Sequence, residues 1–163
     1  MDKLTGVLNR RGFEERAAIE IERAVRERAS VAAVSFDIDY FKRVNDEWGH
    51  EAGDRVLTHL GAVLRADTRS GDIVARLGGE EFVALLPGAD ARTAHRYAER
   101  VRGDFSTGRD LDVSGVTVSA GVTAAVAPEN VDALLQVADS ALYAAKRAGR
   151  DRTQAAQVAS GPL

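Results

Sequence analysis

Two apolar runs meet at Arg76-Leu77-Gly78-Gly79-Glu80-Glu81-Phe82, and this junction narrows what the chain can build more than any other stretch. DIVARL before it and FVALL after it have the length and the β-branched or aromatic content of short strands. The Gly-Gly pair between them predicts a two-residue hairpin, where positive φ is needed and glycine adopts it cheaply. Missing Cβ atoms also let a ligand lie against the main chain of Gly78 and Gly79. Glu80 and Glu81 then sit at the tip of a stiff ribbon, although glutamate is depleted in strands. A phosphate-handling metal site is the chemistry that asks for such a pair.

The rest of the chain supplies a frame for the hairpin. Phe13, Ala17, Ile21, Ala24 and Val25 recur at helical spacing and predict a helix ending near Arg28. VAAVSFDID, residues 31–39, is almost continuously apolar before its acids, as a strand buried on both faces would be. Asp39 is placed to cap a short helix starting near Tyr40. A second helix from Ala52 puts Val56, Leu57, Leu60, Val63 and Leu64 on one face. Strands are expected at about 73–77 and 81–86, closed by Pro87-Gly88. Ala91, Ala94, Ala98, Val101 and Phe105 mark a third long helix. GVTVSAGVT, 115–123, alternates like a strand. Leu134, Ala138, Ala141, Leu142 and Ala145 mark a last helix stopped by Gly149. The order predicts an α+β domain with a ferredoxin-like antiparallel sheet, β-α-β-β-α-β with extra helices. It occupies 1–152, with a frayed Gln-, Ala- and Ser-rich tail at 153–163.

Composition removes several classes. A net charge of −3 over 163 residues argues against a nucleic-acid binder working by general phosphate attraction. The absence of cysteine excludes disulfides and thiolate metal sites and suits a reducing, cytoplasmic setting. No apolar run is long enough to cross a bilayer, so no membrane contact is expected of this segment. A functional-looking segment directly after Met1 suggests a piece of a longer protein.

In this topology the first strand can lie beside the hairpin, bringing Asp37 toward Glu80 and Glu81. Three carboxylates in a small volume repel one another unless a cation sits among them. Oxygen-only ligands favour Mg²⁺ or Mn²⁺ over zinc. A pair of such ions about 3.5–4 Å apart stabilises the entering and leaving oxygens of a phosphoryl displacement. Taken alone, the same acids read equally well as a solvated strand end.

Six blocks in register decide between those readings. DKLTGVLNRRGF, FDIDYFKRVND, GHEAGD, RLGGEEF, VTVSAGV and ALYAAKRAGR follow one another between residues 2 and 150, within a resemblance that covers about 2–152. In them the chain resembles the GGDEF family, the bacterial diguanylate cyclases, a fold related to the nucleotidyl cyclase palm. The resemblance implies condensation of two GTP molecules into cyclic di-GMP with release of pyrophosphate. It implies that Asp37, Glu80 and the Ile38 carbonyl hold two Mg²⁺ or Mn²⁺ ions per site. Glu81 is left with two roles, metal ligand or acceptor of the attacking 3′-hydroxyl proton. Asn45 and Asp54 would read the guanine edge, with Phe41, Gly78 and Gly79 also against substrate. Lys42, Lys146 and Arg150 would hold the triphosphate. Arg76, read from its neighbours alone, is expected simply to pair with an adjacent glutamate.

A second site is implied by Arg69-Ser70-Gly71-Asp72, which stands at the family's product-inhibition spacing before Gly78. There Arg69 and Asp72 would grip cyclic di-GMP and limit its synthesis. Because each 3′-hydroxyl must reach the other GTP, the working form would be a homodimer of catalytic domains. A sensory domain upstream would bring the domains together, and the parent protein could be membrane-attached. The absence of coiled-coil heptads predicts that the lone domain is mostly monomeric and slow. Two rivals remain at this point. One is a cyclic di-GMP receptor using only Arg69 and Asp72, and the other is a nucleotidyl cyclase or polymerase palm with no need for guanine.

Overall fold

The computed structural model describes residues 1–107, 113 and 115–156 of the chain. In order, the elements are helix α1 (Arg10–Glu27), strand β1 (Ser30–Ile38), helices α2 (Phe41–Trp48) and α3 (His50–Asp67), and the hairpin β2 (Ile73–Gly78) and β3 (Glu81–Pro87). Helix α4 (Ala91–Ser106), strand β4 (Val118–Val126), helix α5 (Val131–Arg147) and strand β5 (Thr153–Ala155) complete the fold. The sheet runs β2-β3-β1-β4-β5, antiparallel except where β5 joins β4. Its first four strands have the expected ferredoxin-like order. Among the described residues, no helix is long and apolar enough to cross a membrane.

β1 is buried on both faces because helices cover the sheet on both sides. Ala32, Val34, Phe36 and Ile38 pack with α3 and α4 residues such as Leu60, Leu64, Val101 and Phe105. Val31 and Ala33 face the other way, with Phe13, Ala17 and Ile21 of α1 and Leu134 and Ala138 of α5. Asn9 and Asn130 cap α1 and α5 through side-chain bonds to Gly12 and Ala133. Val25, grouped above with the inward face of α1, is 48% exposed; the stripe ends at Ala24.

Four expectations change. Asp39 does not cap α2, whose N-cap is Tyr40 with no side-chain cap bond; its carboxylate is drawn instead to partners distant in sequence. Thr153–Ala155 is not frayed, because main-chain pairing with β4 holds it as an edge strand without needing large apolar side chains. Residues 157–163 of the expected tail lie outside those described. β4 starts three residues later than predicted and runs to Val126. Finally, of the Gly78-Gly79 pair only Gly79 has positive φ, at 45°.

The close seat of α5 on the sheet is set by Gly121 in β4. A Cβ there would run into the main chain of Ala138 and Leu142. Ser35 Oγ adds a polar pin by donating to Asp139 Oδ1 at 2.6 Å. Gly121→Ala should therefore push α5 off the sheet and cost about 3 kcal/mol. Urea unfolding checks this, and a midpoint equal to wild type would contradict it.

Candidate active site

The end of β1 and the hairpin tip form one corner. Asp37 stands directly opposite Glu81 in the β1–β3 register, so both side chains project from the same face of the sheet. That face is the one covered by α5, and Lys146 near the end of that helix places its ammonium on Asp37 Oδ2. Asp37 is 6% exposed. Burial drives its carboxyl up to a pKa of about 6, against the Lys146 hydrogen bond and charge, while Glu80 and Glu81 push it further upward. Glu80 and Glu81 are thus within electrostatic reach of Asp37.

The three carboxylates share one end of the sheet, as expected, but they do not close into a cage. Among the described residues, no group of three or more acidic or histidine side chains is gathered around one point. The Lys146 ammonium answers the charge of Asp37 and leaves those of Glu80 and Glu81. The donor set still suits a hard divalent cation: all ligands are oxygens, and the corner draws a positive charge to itself. A cleft of about 540 Å³ opens beside it, lined by Arg10, Asp37, Glu81, Asp139, Tyr143 and Lys146 among others. Arg10 and Asp139 belong to this surface; Arg10 lies in the first matching block without a role assigned to it, and Asp139 lies outside the blocks.

The hairpin tip is braced from the chain's N-terminus. Arg76 does not pair with a glutamate; its Nε donates to the Gly79 carbonyl at 2.8 Å and Nη1 reaches Asp2 Oδ2 at 3.4 Å. Leu8 extends the free edge of β2, with Leu8 N–H donating to Val74 O at 3.2 Å and Arg76 N–H to Leu8 O at 2.9 Å. A long-range tie wins because the Asp2 carboxylate is also anchored by Thr5, from its N–H at 3.0 Å and from its hydroxyl. Added Cβ atoms at Gly78 and Gly79 would meet nothing within 4 Å. Gly79 is explained by its backbone angle, but packing gives no reason for glycine at 78.

Asn45, Phe41 and Asp54 meet where α2 runs into α3. A Cβ on Gly53 would strike the Asn45 side-chain oxygen and come within 3.3 Å of the Phe41 ring edge. The missing side chain at 53 is therefore what seats Asn45, and exposed Asp54 follows next along the helix. Lys42 is exposed at the uncapped start of α2. Arg150 lies with its guanidinium 4.6 Å from the centre of the Tyr40 ring.

Arg69 and Asp72 meet at the opposite end of β2. The Arg69 N–H donates to Asp72 Oδ2 at 2.9 Å, and its Nε lies 3.8 Å from the same oxygen. A cavity of about 410 Å³ there is also lined by Glu20, Arg23, Ser70 and Gly88. Arg23 comes from α1 and escapes any reading of the local motif. The six residues of β2, roughly 20 Å of extended chain, separate this cavity from the Gly-Gly turn.

Comparison with known proteins agrees with this geometry. The model of the family described as "Diguanylate cyclase, GGDEF domain" matches residues 1–152. The chain is 42% identical over 161 residues to diguanylate cyclase DgcP of Pseudomonas aeruginosa, covering 95% of this chain and 24% of that protein. It thus spans about a quarter of DgcP, and 44% of a second relative, YhcK of Bacillus subtilis. Among solved structures, the GGDEF domain of DgcB from Caulobacter crescentus in complex with c-di-GMP superposes with a TM-score of 0.90 at 32% identity, over 97% of this chain and 93% of that one. The active GGEEF domain of a Vibrio cholerae diguanylate cyclase gives 0.87 at 31% identity, over 94% and 99%.

Asp37 makes stability depend on pH in a definite direction. Its carboxyl titrates at 3.8 in an ordinary setting and at about 6 in the fold, so folding favours the protonated form. The stabilisation is complete below the lower value and is lost as pH rises through the higher one. Without divalent cations, unfolding free energy should fall from about pH 4 to 7, and Asp37→Asn should flatten part of that slope. An unchanged slope in the variant, read from urea midpoints, would contradict the assignment.

Proposed function

The chain belongs to the GGDEF family of diguanylate cyclase domains, and from that premise we propose that it condenses two GTP molecules into cyclic di-GMP and pyrophosphate. The observation that carries the reading is the pairing of Asp37 with Glu81 beside a glycine turn whose main chain is open to a ligand. Membership implies divalent-metal use. Asp37, Glu80 and the Ile38 carbonyl are the groups to hold Mg²⁺ or Mn²⁺, two ions per site. Bound there, the ions supply neutralisation of phosphate charge and a lowered pKa for the attacking hydroxyl.

The chain's own groups do the remaining work. Lys146, held by Asp37 in the free protein, transfers to a phosphate oxygen of the substrate. Lys42 and the uncapped N-terminus of α2 face the same anion, and Arg150 adds a fork of donors. Gly78 lets the nucleotide lie on the main chain. Asn45 and Asp54 take the guanine edge, where a carboxylate accepts from the ring N–H and the exocyclic amine, a pair adenine does not offer in that arrangement. Glu81, exposed and lining the cleft, is available to accept the proton of the 3′-hydroxyl.

One domain holds one GTP, so two must face each other for in-line attack. A sensory region elsewhere in a longer cytoplasmic or membrane-attached protein would control that meeting. Product bound at Arg69 and Asp72, with Arg23 beside them, lies too far along β2 to touch the turn of its own domain. Its inhibition therefore acts by holding two domains apart.

Chromatography of nucleotides after incubation with GTP and Mg²⁺ should show cyclic di-GMP, with ATP left unconverted. ATP turnover equal to that of GTP would sink the guanine assignment. Glu81→Gln should slow synthesis at least about a hundredfold while leaving product affinity intact by calorimetry; lost affinity would contradict two separate sites. Arg69→Ala should raise the final yield, and a reaction that stalls equally early would count against inhibition there.

A further inference from the structure

The two acids of Asp37-Ile38-Asp39 have different partners, and those of Asp39 identify a device for aiming Arg150. Asp39 is 4% exposed. It accepts from the Thr117 and Ser119 hydroxyls, each at 2.7 Å, and from the Asp151 N–H at 3.0 Å. Asp151 is held from its other side as well, where Arg102 Nη2 donates to Oδ1 at 2.8 Å. The turn following α5 is thus fastened both to the end of β1 and to α4.

That turn is conformationally costly. Arg150 and Asp151 adopt left-handed backbone angles, φ 62° and 48°, and so does Tyr40 at 54°. Among the described residues, three of the five non-glycine positions with positive φ therefore meet at one spot. Such angles persist only where surrounding bonds over-determine them, and the Asp39 bonds do so here. The result is a stack. The guanidiniums of Arg150 and Arg43 each lie 4.6 Å from the centre of the Tyr40 ring. Neither arginine has a carboxylate partner among the described residues. Two cations on one ring with no carboxylate partner among the described residues, at a helix start that lacks a side-chain cap, suit a multiply charged anion.

We propose that Tyr40 is a positioning residue: its ring, fixed by the Asp39 clasp, holds Arg150 and Arg43 over the start of α2 for the GTP triphosphate. The inference rests on the proposed cyclase reading, in which Arg150 is a phosphate ligand. A flexible arginine at a turn would otherwise spend its rotamer entropy on binding. The stack removes part of that cost before substrate arrives. Guanine recognition through Asn45 and Asp54 should be indifferent to it.

The test uses Tyr40→Leu, which removes the π face, and Tyr40→Phe, which keeps it. Tyr40→Leu should raise the KM for GTP about fivefold with kcat nearly unchanged. Calorimetry should show weaker GTP binding but unaltered GMP binding. Tyr40→Phe should restore the wild-type values, and thermal melts of both variants should match wild type. An unchanged KM in Tyr40→Leu, equal losses in both variants, or equal weakening of GMP would overturn the proposal. Arg150→Ala separates this from the underlying reading. If that variant binds GTP normally, the phosphate role of Arg150 is wrong; if it weakens GTP while Tyr40→Leu does not, only the positioning role of Tyr40 falls.

Discussion

A buried carboxylate at the end of a central strand is costly unless something answers its charge, and the protein is arranged around the answer given to Asp37. The reply in the free molecule is an ammonium carried in by α5. Several features serve that approach. Gly121 lets the helix lie directly on β4, and Ser35 ties it to β1 through Asp139. The hairpin then sets Glu81 across from Asp37, adding negative charge faster than Lys146 removes it. A corner with that imbalance favours a further cation, and the proposed metal–nucleotide complex would bring one together with an anion able to draw Lys146 away.

The same ribbon has a cavity at each end. At the tip, the Asp2–Arg76–Gly79 chain of contacts braces the acidic turn from a segment distant in sequence. At the base, Arg69 and Asp72 close a second cavity with help from α1. A strand is stiff along its length, so neither end can readily deform the other. The proposed inhibition therefore works through the relative placement of two domains rather than through distortion within one.

Most of the frame was legible because its signals are local. Apolar periodicity located the long helices, and the Gly-Gly junction located the hairpin and its acids. The strand pairing that brings Asp37 to Glu81 followed from element order alone. What escaped depends on partners remote in sequence. Asp39 looked like a helix cap because Tyr40 and Phe41 follow it, yet its bonds run to Thr117, Ser119 and Asp151. Arg76 stands next to glutamates and still prefers Asp2 and a main-chain carbonyl. β5 has no apolar signature because an edge strand can be held by main-chain bonds. Arg23 and Arg10 come from α1, one for each cavity; Arg23 lies outside the matching blocks, and Arg10, inside the first of them, carries no local sign of the cavity it lines. The direction of Arg150 could not be read at all until the left-handed turn was seen.

Anomalous diffraction from crystals grown with Mn²⁺ and a non-hydrolysable GTP analogue tests the central claim most directly. The account predicts manganese bound to the Asp37 carboxylate beside Glu80, with the Lys146 ammonium moved onto the triphosphate. Manganese bound elsewhere, with the Asp37–Lys146 pair still intact beneath the nucleotide, would contradict it.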